Sequence, residues 1–415
     1  MSHRSEGSGE MEREAGQGAL SGVRVLELAS YVAGPFAGAL LGEFGAEVIK
    51  VEDPRGGDPM RRVGYGEGGY SYWFAVEGRN KRSITLDLRH PEGRRVFLEL
   101  VALSDVVIEN FRPGTLEERG LGDATLRSAN PGLIVAHISG FGQDGPHRDR
   151  PGYDGLALAF SGVMSLIGDP ERLDQPPLRP AIAIADYSAG LFTALGVLLA
   201  LRARDGAPEH RGQTVELALY EPLLRMLGDF LPLYGRQGVV AGRQGHRSHA
   251  AVPSGCYRTL DGQWVVVRVV SDQQWGRFAR AIGRPDWAED GTLASVAGRL
   301  ERREEIEAAT AAWVAERPAE EVEELLLAAG IVAGRVNSIA DLFDDPQVRW
   351  RGSIVWVDDP VIGALPVPNV VPRLERTPGR VGPAPRLGEA NEYVYGELLG
   401  YPAAKIEQLR RQGII

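Results

Sequence analysis

Asp154 is the residue best placed to do chemistry in this chain. It stands in Pro151-Gly152-Tyr153-Asp154, ahead of the small-residue run Gly155-Leu156-Ala157-Leu158-Ala159-Phe160-Ser161-Gly162-Val163-Met164. An acid at the head of an apolar helix is tolerated because the unpaired N–H groups there favour an anion. Two roles fit: a helix N-cap, or a reactive carboxylate kept from water. Two glycine segments, Gly140-Phe141-Gly142 and Gly242-Arg243-Gln244-Gly245, would let backbone N–H groups approach an oxyanion closely. An ordinary surface turn is the alternative for the second. Lys81 and Arg82 form a basic pair, suited to phosphate or to simple exposure. His246 and His249 lie in a Gly/Arg loop with no acidic or Cys partner nearby, so no metal site is expected.

The bulk properties describe a soluble enzyme. The chain has 415 residues, which suits two domains, and 43% are apolar, enough for a sizeable core. A net charge of −10 argues against general nucleic-acid binding. The single cysteine, Cys256, rules out an intramolecular disulfide and fits a reducing cytoplasm; it reads as a small core residue. Residues 1–18 are polar and lack an apolar core segment, so they read as a disordered tail, not a signal peptide. The most apolar helix, Ala189 to Leu201, is interrupted by Gly196 and too short to span a bilayer; a buried helix is expected. No membrane partner is expected.

The elements that must position Asp154 alternate. Strands are expected at Val23 to Leu28, Glu47 to Val51, Ser83 to Leu88, Asp105 to Ile108 and Leu133 to Ile138. Helices start at Pro35 and Pro91, where proline's missing N–H does no harm. This β-α-β alternation implies an α/β fold: a Rossmann-like parallel sheet with helices on both faces. The first turn, Ala29-Ser30-Tyr31-Val32-Ala33-Gly34, lacks G-x-G-x-x-G, so no dinucleotide site is expected there. A strand at Arg211 to Leu219 leads into a helix at Glu221 to Leu233. A hairpin follows, Gly255 to Leu260 and Gln263 to Val270, turning at Asp261-Gly262. The expected organisation is a large domain over 19–224, a smaller α+β domain over 225–330, and an arm over 331–415, rich in proline and without a long periodic element, returning to the large domain.

The order of several segments carries more than any one. Gly22-Val23-Arg24-Val25-Leu26-Glu27-Leu28 is followed by Gly34-Pro35 and Phe44-Gly45-Ala46-Glu47-Val48-Ile49-Lys50-Val51-Glu52. Then come Asn80-Lys81-Arg82-Ser83, Glu109-Asn110-Phe111-Arg112-Pro113-Gly114, Gly140 to Pro146, Gly152-Tyr153-Asp154, Arg211-Gly212-Gln213 and Ala384-Pro385-Arg386-Leu387-Gly388-Glu389. From residue 18 onward the chain resembles the family III CoA-transferases, which include formyl-CoA transferase, the carnitine CoA-transferases and the α-methylacyl-CoA racemases.

The resemblance implies Asp154 as nucleophile, coenzyme A as substrate with no further cofactor, and an interlocked homodimer acting on acyl-CoA and a carboxylic acid. It implies CoA contacts at Lys81, Arg82, Leu86, Asp87, Leu88, Arg89, Asn110, Phe111, Arg112, Arg119, Gly140 and Phe141. Two positions depart from formyl-CoA transferase: Asp53 replaces an arginine at the nucleotide, and Val32 replaces a glutamine beside the substrate, which disfavours formyl or oxalyl chemistry. In the resembled racemases an Asp pairs with a His upstream of an Asn-Pro pair. Here Leu121 to Ala129, before Asn130-Pro131, contains no His, and Tyr153 stands where racemases place a His; His137 alternates within an apolar strand and is expected to point inward. Transfer of CoA is the preferred reading. A racemase or a CoA-ester-binding protein without turnover are the alternatives. Tyr72-Trp73-Phe74 to Ser83 resembles succinyl-CoA-dependent members acting on hydroxy-dicarboxylates. Arg55, Arg61, Arg62, Arg179, Arg243 and Arg247 are cations available to a dicarboxylate.

Overall fold

The computed structural model describes residues 18–415; the tail expectation falls almost wholly outside them. The chain forms two compact units, one of residues up to 161 with 180–228 and 350–415, the other of 162–179 with 229–349.

The first unit is built on six parallel strands: β1 (Arg24–Glu27), β2 (Glu47–Glu52), β3 (Lys81–Thr85), β4 (Val106–Glu109), β5 (Ile134–Ser139) and β6 (Thr214–Ala218). Their order is β3-β2-β1-β4-β5-β6. The order reverses between β1 and β4, and in open α/β sheets ligands bind beyond the strands' carboxyl ends at that reversal. Strands β1 to β5 are buried nearly throughout, as a sheet covered on both faces requires. Helix α1 (Ala33–Glu43) approaches β1 so closely that a Cβ on Gly38 would lie 2.0 Å from Glu27 Oε2. Helices α2 (Tyr72–Glu77), α3 (Pro91–Ala102) and α4 (Asp123–Ala129) fill the crossovers. Helix α5 (Asp154–Phe160) precedes the long α6 (Ile184–Asp205).

Strand β3 is a sheet edge, and the C-terminal segment covers it. Ala390 N–H donates to Ser83 O at 2.9 Å, and Tyr395 OH to Thr85 O at 2.6 Å. Tyr395, Tyr401, Ile406, Leu409 and Ile414 join the sheet's core. That segment is more regular than expected: it carries a hairpin, Ile354–Asp359 with Gly363–Pro368, and a helix, Ala403–Arg411.

Three expectations need correction. Strand β3 starts two residues early and ends at Thr85, because the apolar alternation runs on into Leu86 and Leu88, which are buried beyond the strand. Helix α6 has 22 residues, the one helix among the described residues long and apolar enough to cross a membrane, and it is only half buried: Leu191, Leu195, Leu198 and Leu199 are exposed. The second unit runs on to residue 349, because Val332–Arg335 pairs antiparallel with Trp264–Arg268 in its three-stranded sheet.

Candidate active site

Two cavities meet at the strand-order reversal. The first, about 270 Å³, is lined by Leu28 to Ser30, Asp53, Leu86 to Arg89, Phe111 and Arg119, among others. The second, about 310 Å³, is lined by Tyr31, Val32, Asn110, Arg112, Gly140, Arg150, Tyr153 and Asp186, among others. Ser30, Pro59 and Phe111 line both, so one path joins them. Asn110 fixes the junction: its amide donates to Ser30 O at 2.7 Å and accepts from Ser30 N–H at 2.9 Å. This ties the exits of β1 and β4 across the reversal, so the side chain expected to contact CoA is spent on shaping the loop.

Asp154 is the first residue of α5, and Tyr153 is the N-cap. The N-cap reading of Asp154 therefore fails in its simple form, because the carboxylate serves a different helix. Asp154 is only 7% exposed. Its Oδ1 accepts from Ala185 N–H at 2.8 Å, in the first turn of α6. Its Oδ2 is buried without a hydrogen-bond partner. The charge is thus offset by a fixed backbone donor at a helix N-terminus, and one oxygen stays uncommitted. Asp186, next along α6, lines the second cavity. Burial, and then the negative charge of Asp154, push its carboxyl up to about 7.

The approach to Asp154 depends on glycines. A Cβ on Gly152 would lie 2.5 Å from Gly140 Cα, and one on Gly140 2.7 Å from Gly152 Cα. The exit of β5 and the entry to α5 are therefore in backbone contact. Gly140 serves this close approach. The ring of Phe141 is buried among Phe160, Tyr220 and His147 and lines neither cavity. The start of α6 is anchored by Tyr187, whose hydroxyl donates to Glu77 at 2.8 Å and accepts from Trp73 Nε1 at 3.0 Å.

Lys81 and Arg82 lie apart from the two cavities. They begin β3, while the cleft lies beyond its other end, five residues or roughly 13–16 Å away. The Lys81 ammonium is fully buried, 2.8 Å from Glu27 Oε2 and 2.7 Å from Pro35 O. Lys50 shares the same glutamate and Asp58, each at 2.8 Å. This cluster leaves Lys81 no reach to a phosphate. Arg82 is half exposed, over the Tyr393 ring and 3.2 Å from Glu47, in a separate groove with Asn80 and Glu389.

Of the arginines considered for a dicarboxylate, none lines the second cavity. Arg61 is buried on Glu52 at 2.7 Å, Arg55 is held by Asp53, and Arg247 by Glu304 at 2.7 Å. Arg112 and Arg150 line it instead. His137 bonds Glu109 through Nδ1 and Asp123 through Nε2, the latter at 2.9 Å. Burial pulls its pKa down, but the two carboxylates outweigh it and hold it near 10, so His137 is a charged structural link. In the second unit, the 242–245 loop is tied down locally: Gly245 N–H donates to Gly168 O at 3.0 Å, and Arg243 to the carbonyls of Arg172 and Gln175. His246 accepts from Cys256 N–H at 2.9 Å. Among the described residues no group of three His, Cys, Asp or Glu is placed to hold a metal.

Sequence reasoning missed Asp186 and the Ala185 donor. The available signal is an acid in the first turn of a long apolar helix, hidden because the apolar run begins only at Ala189, five residues inside the helix. Arg150, two residues from Gly152, was also passed over.

Asp154 itself lines neither cavity; its neighbours Gly152 and Tyr153 line the second, at the carboxyl ends of the parallel strands, where α/β enzymes bind their ligands. Comparison with known proteins makes the class specific. CoA-transferase family III matches residues 20–391. The chain is 43% identical over 400 residues to the succinyl-CoA–L-malate CoA-transferase alpha subunit of Chloroflexus aurantiacus, covering 95% of this chain and 92% of that one. It is 42% identical over 398 residues to a succinyl-CoA–D-citramalate CoA-transferase of the same organism, covering 95% and 98%. A crystal structure of a CAIB/BAIF family protein from Brucella suis superposes with a TM-score of 0.79 at 32% identity, over 92% of this chain and all of that one. The chain belongs to CoA-transferase family III, and it is a CoA-transferase.

Proposed function

We propose that the enzyme moves CoA from succinyl-CoA to a dicarboxylic acid through a thioester on Asp154. The observation that carries this is the Asp154 carboxylate: buried, one oxygen held by Ala185 N–H, the other without a partner. The donor and acceptor class follows from the relatives, which use succinyl-CoA with malate or citramalate. Arg112 and Arg150 supply positive charge to the second cavity, which suits dicarboxylate substrates.

The nucleotide lies in the first cavity, on Leu86 to Arg89, Phe111 and Arg119, and the pantetheine arm passes Ser30, Pro59 and Phe111. Asp154 Oδ2 attacks the thioester carbonyl; the C–S bond breaks and CoA leaves as thiolate, giving a mixed anhydride. The thiolate attacks Asp154 Cγ, the anhydride C–O bond breaks, and succinate leaves an aspartyl-CoA thioester. The acceptor carboxylate then attacks that thioester and expels the thiolate. The thiolate attacks the acceptor's acyl carbon, which frees Asp154 and yields the new CoA ester. No net proton is consumed, and covalent relay divides one difficult exchange into easier steps.

The test is trapping. With succinyl-CoA and no acceptor, hydroxylamine should convert Asp154 to a hydroxamate detectable by peptide mass. Asp154→Ala should lose transfer by roughly 10³-fold or more while still binding CoA ester. An unlabelled Asp154, with exchange of an α-proton of a branched acyl-CoA, would favour the racemase instead.

The same reading includes a homodimer. Its support is the exposed face of α6, with Leu191, Leu195, Leu198 and Leu199 at i, i+4, i+7 and i+8. A monomeric mass at micromolar concentration with full activity would remove it.

A further inference from the structure

The nucleotide cleft contains its own anion. Asp53 follows β2 and lines the cleft. Its Oδ2 lies 2.8 Å from Arg55 Nη2 and 3.0 Å from Arg89 Nη2. Its Oδ1 accepts from Arg55 N–H and Nε, both at 3.0 Å. Arg89 also bonds Asp87 at 2.7 Å. Burial raises the Asp53 pKa, but the hydrogen bonds and charge of Arg55, with the charge of Arg119, together outweigh it and hold the carboxyl below its usual range. A polyanion entering this cleft meets arginines that already hold a carboxylate, and two anions cannot share the same donors at full strength.

We propose that Asp53 is a resident counter-anion: it holds Arg89 at the cleft and Arg55 beside it, and a phosphate of the CoA ester takes its place on Arg89. This rests on the reading of the cleft as the CoA site. The arginines are kept in position without ligand, and part of the phosphate's binding energy is used to displace Asp53. Both substrate and product of transfer are CoA esters, so uniform affinity for CoA would slow release without helping the chemistry. Asp53 sets that affinity lower. The groups are partly exposed, so the effect is modest: removal of Asp53 should tighten CoA by about three- to fivefold.

The test is calorimetry on the full-length enzyme with CoA, dephospho-CoA and pantetheine, at low and high salt, for wild type, Asp53→Asn, Asp53→Ala and Asp53→Asn/Arg89→Ala. Both single variants should bind CoA more tightly, bind pantetheine as wild type does, and lose the gain at high salt, where exposed charges are screened. The double variant should lose the whole gain and bind CoA no more tightly than wild type. A gain that persists with dephospho-CoA assigns the exchange to the pyrophosphate; one that vanishes assigns it to the 3′-phosphate. Unchanged or weaker CoA binding in Asp53→Asn overturns the proposal, and weaker binding would make Asp53 a direct ligand of the nucleotide. Wild-type enzyme that binds no CoA at all would remove the function proposed above and this inference with it. Normal wild-type binding with unaltered variants removes this inference alone.

Discussion

The nucleotide cleft and the Asp154 corner lie in one unit and handle charge in opposite ways. In the cleft, Arg89, Arg55, Asp53 and Asp87 are partly exposed and paired with one another, so each pair is weak and exchangeable. At the corner a single carboxylate is buried and held by a backbone donor that cannot swing away. The first arrangement suits a large, well-solvated polyanion that must enter and leave. The second suits one group that must react, where desolvation raises the reactivity of a carboxylate and a fixed dipole holds it in place. Glu27, with Lys50 and Lys81, is a third case: charge as deeply buried as Asp154 but fully paired, and so structural.

That third case carries the largest effect on stability. Removing one partner of a buried ion pair costs about 3–5 kcal/mol. Lys81→Ala should lower the unfolding free energy by that much, measured by denaturant titration, leaving Glu27 with Lys50 alone. CoA affinity of the remaining folded protein should not change. A stable Lys81→Ala protein that has lost CoA binding would return Lys81 to the cleft and dissolve the distinction drawn here.

A smaller effect separates Asp154 from its neighbour. Asp186 has its pKa raised to about 7, first by burial and then by Asp154. The folded state thus keeps a proton that the unfolded state gives up near the ordinary Asp value. Stability attributable to this proton is present at low pH and is lost as pH rises toward 7. Asp186→Asn mimics the protonated form, so its melting temperature should exceed wild type by more at pH 8 than at pH 5. Transfer by wild type should fall as pH passes through about 7, because ionised Asp186 repels incoming carboxylates; the Asn variant should be flat there. Parallel pH profiles for the two enzymes would show that Asp186 does not sense Asp154.

The scaffold was legible because strands buried on both faces read as apolar runs: Glu47 to Val51 and Leu133 to Ile138 fall within a residue of the observed β2 and β5. The corner was legible only at Asp154. Its partners come from the chain 31 and 32 residues later, and a backbone N–H such as Ala185's leaves no mark in composition. Burial also misled: Leu86 and Leu88 continue the strand alternation because they wall the cleft beyond the end of β3. Lys81 shows the converse. A lysine beside an arginine reads as exposed, and nothing local reveals Glu27, 54 positions earlier, or the close approach at Gly38 that buries both.

The smallest expected effect is the sharpest test of position. Arg82 is adjacent to Lys81 and belongs to the same motif, and a basic residue there looks suited to phosphate. Successive residues of a strand point to opposite faces, so Lys81 enters the core while Arg82 turns outward over Tyr393 and toward Glu47. Its guanidinium is half exposed and sits at the amino end of β3, away from the cleft. An exposed ion pair with a stacking contact contributes about 0–1 kcal/mol. Arg82→Ala should therefore leave the Kd for CoA and for dephospho-CoA unchanged and shift the melting temperature only slightly. In contrast, Arg89→Ala, which removes a cation from the cleft itself, should weaken CoA by up to about 1–3 kcal/mol. Equal losses from the two variants would mean that the nucleotide reaches past both ends of β3, and the placement of the cleft at the carboxyl ends would have to be abandoned.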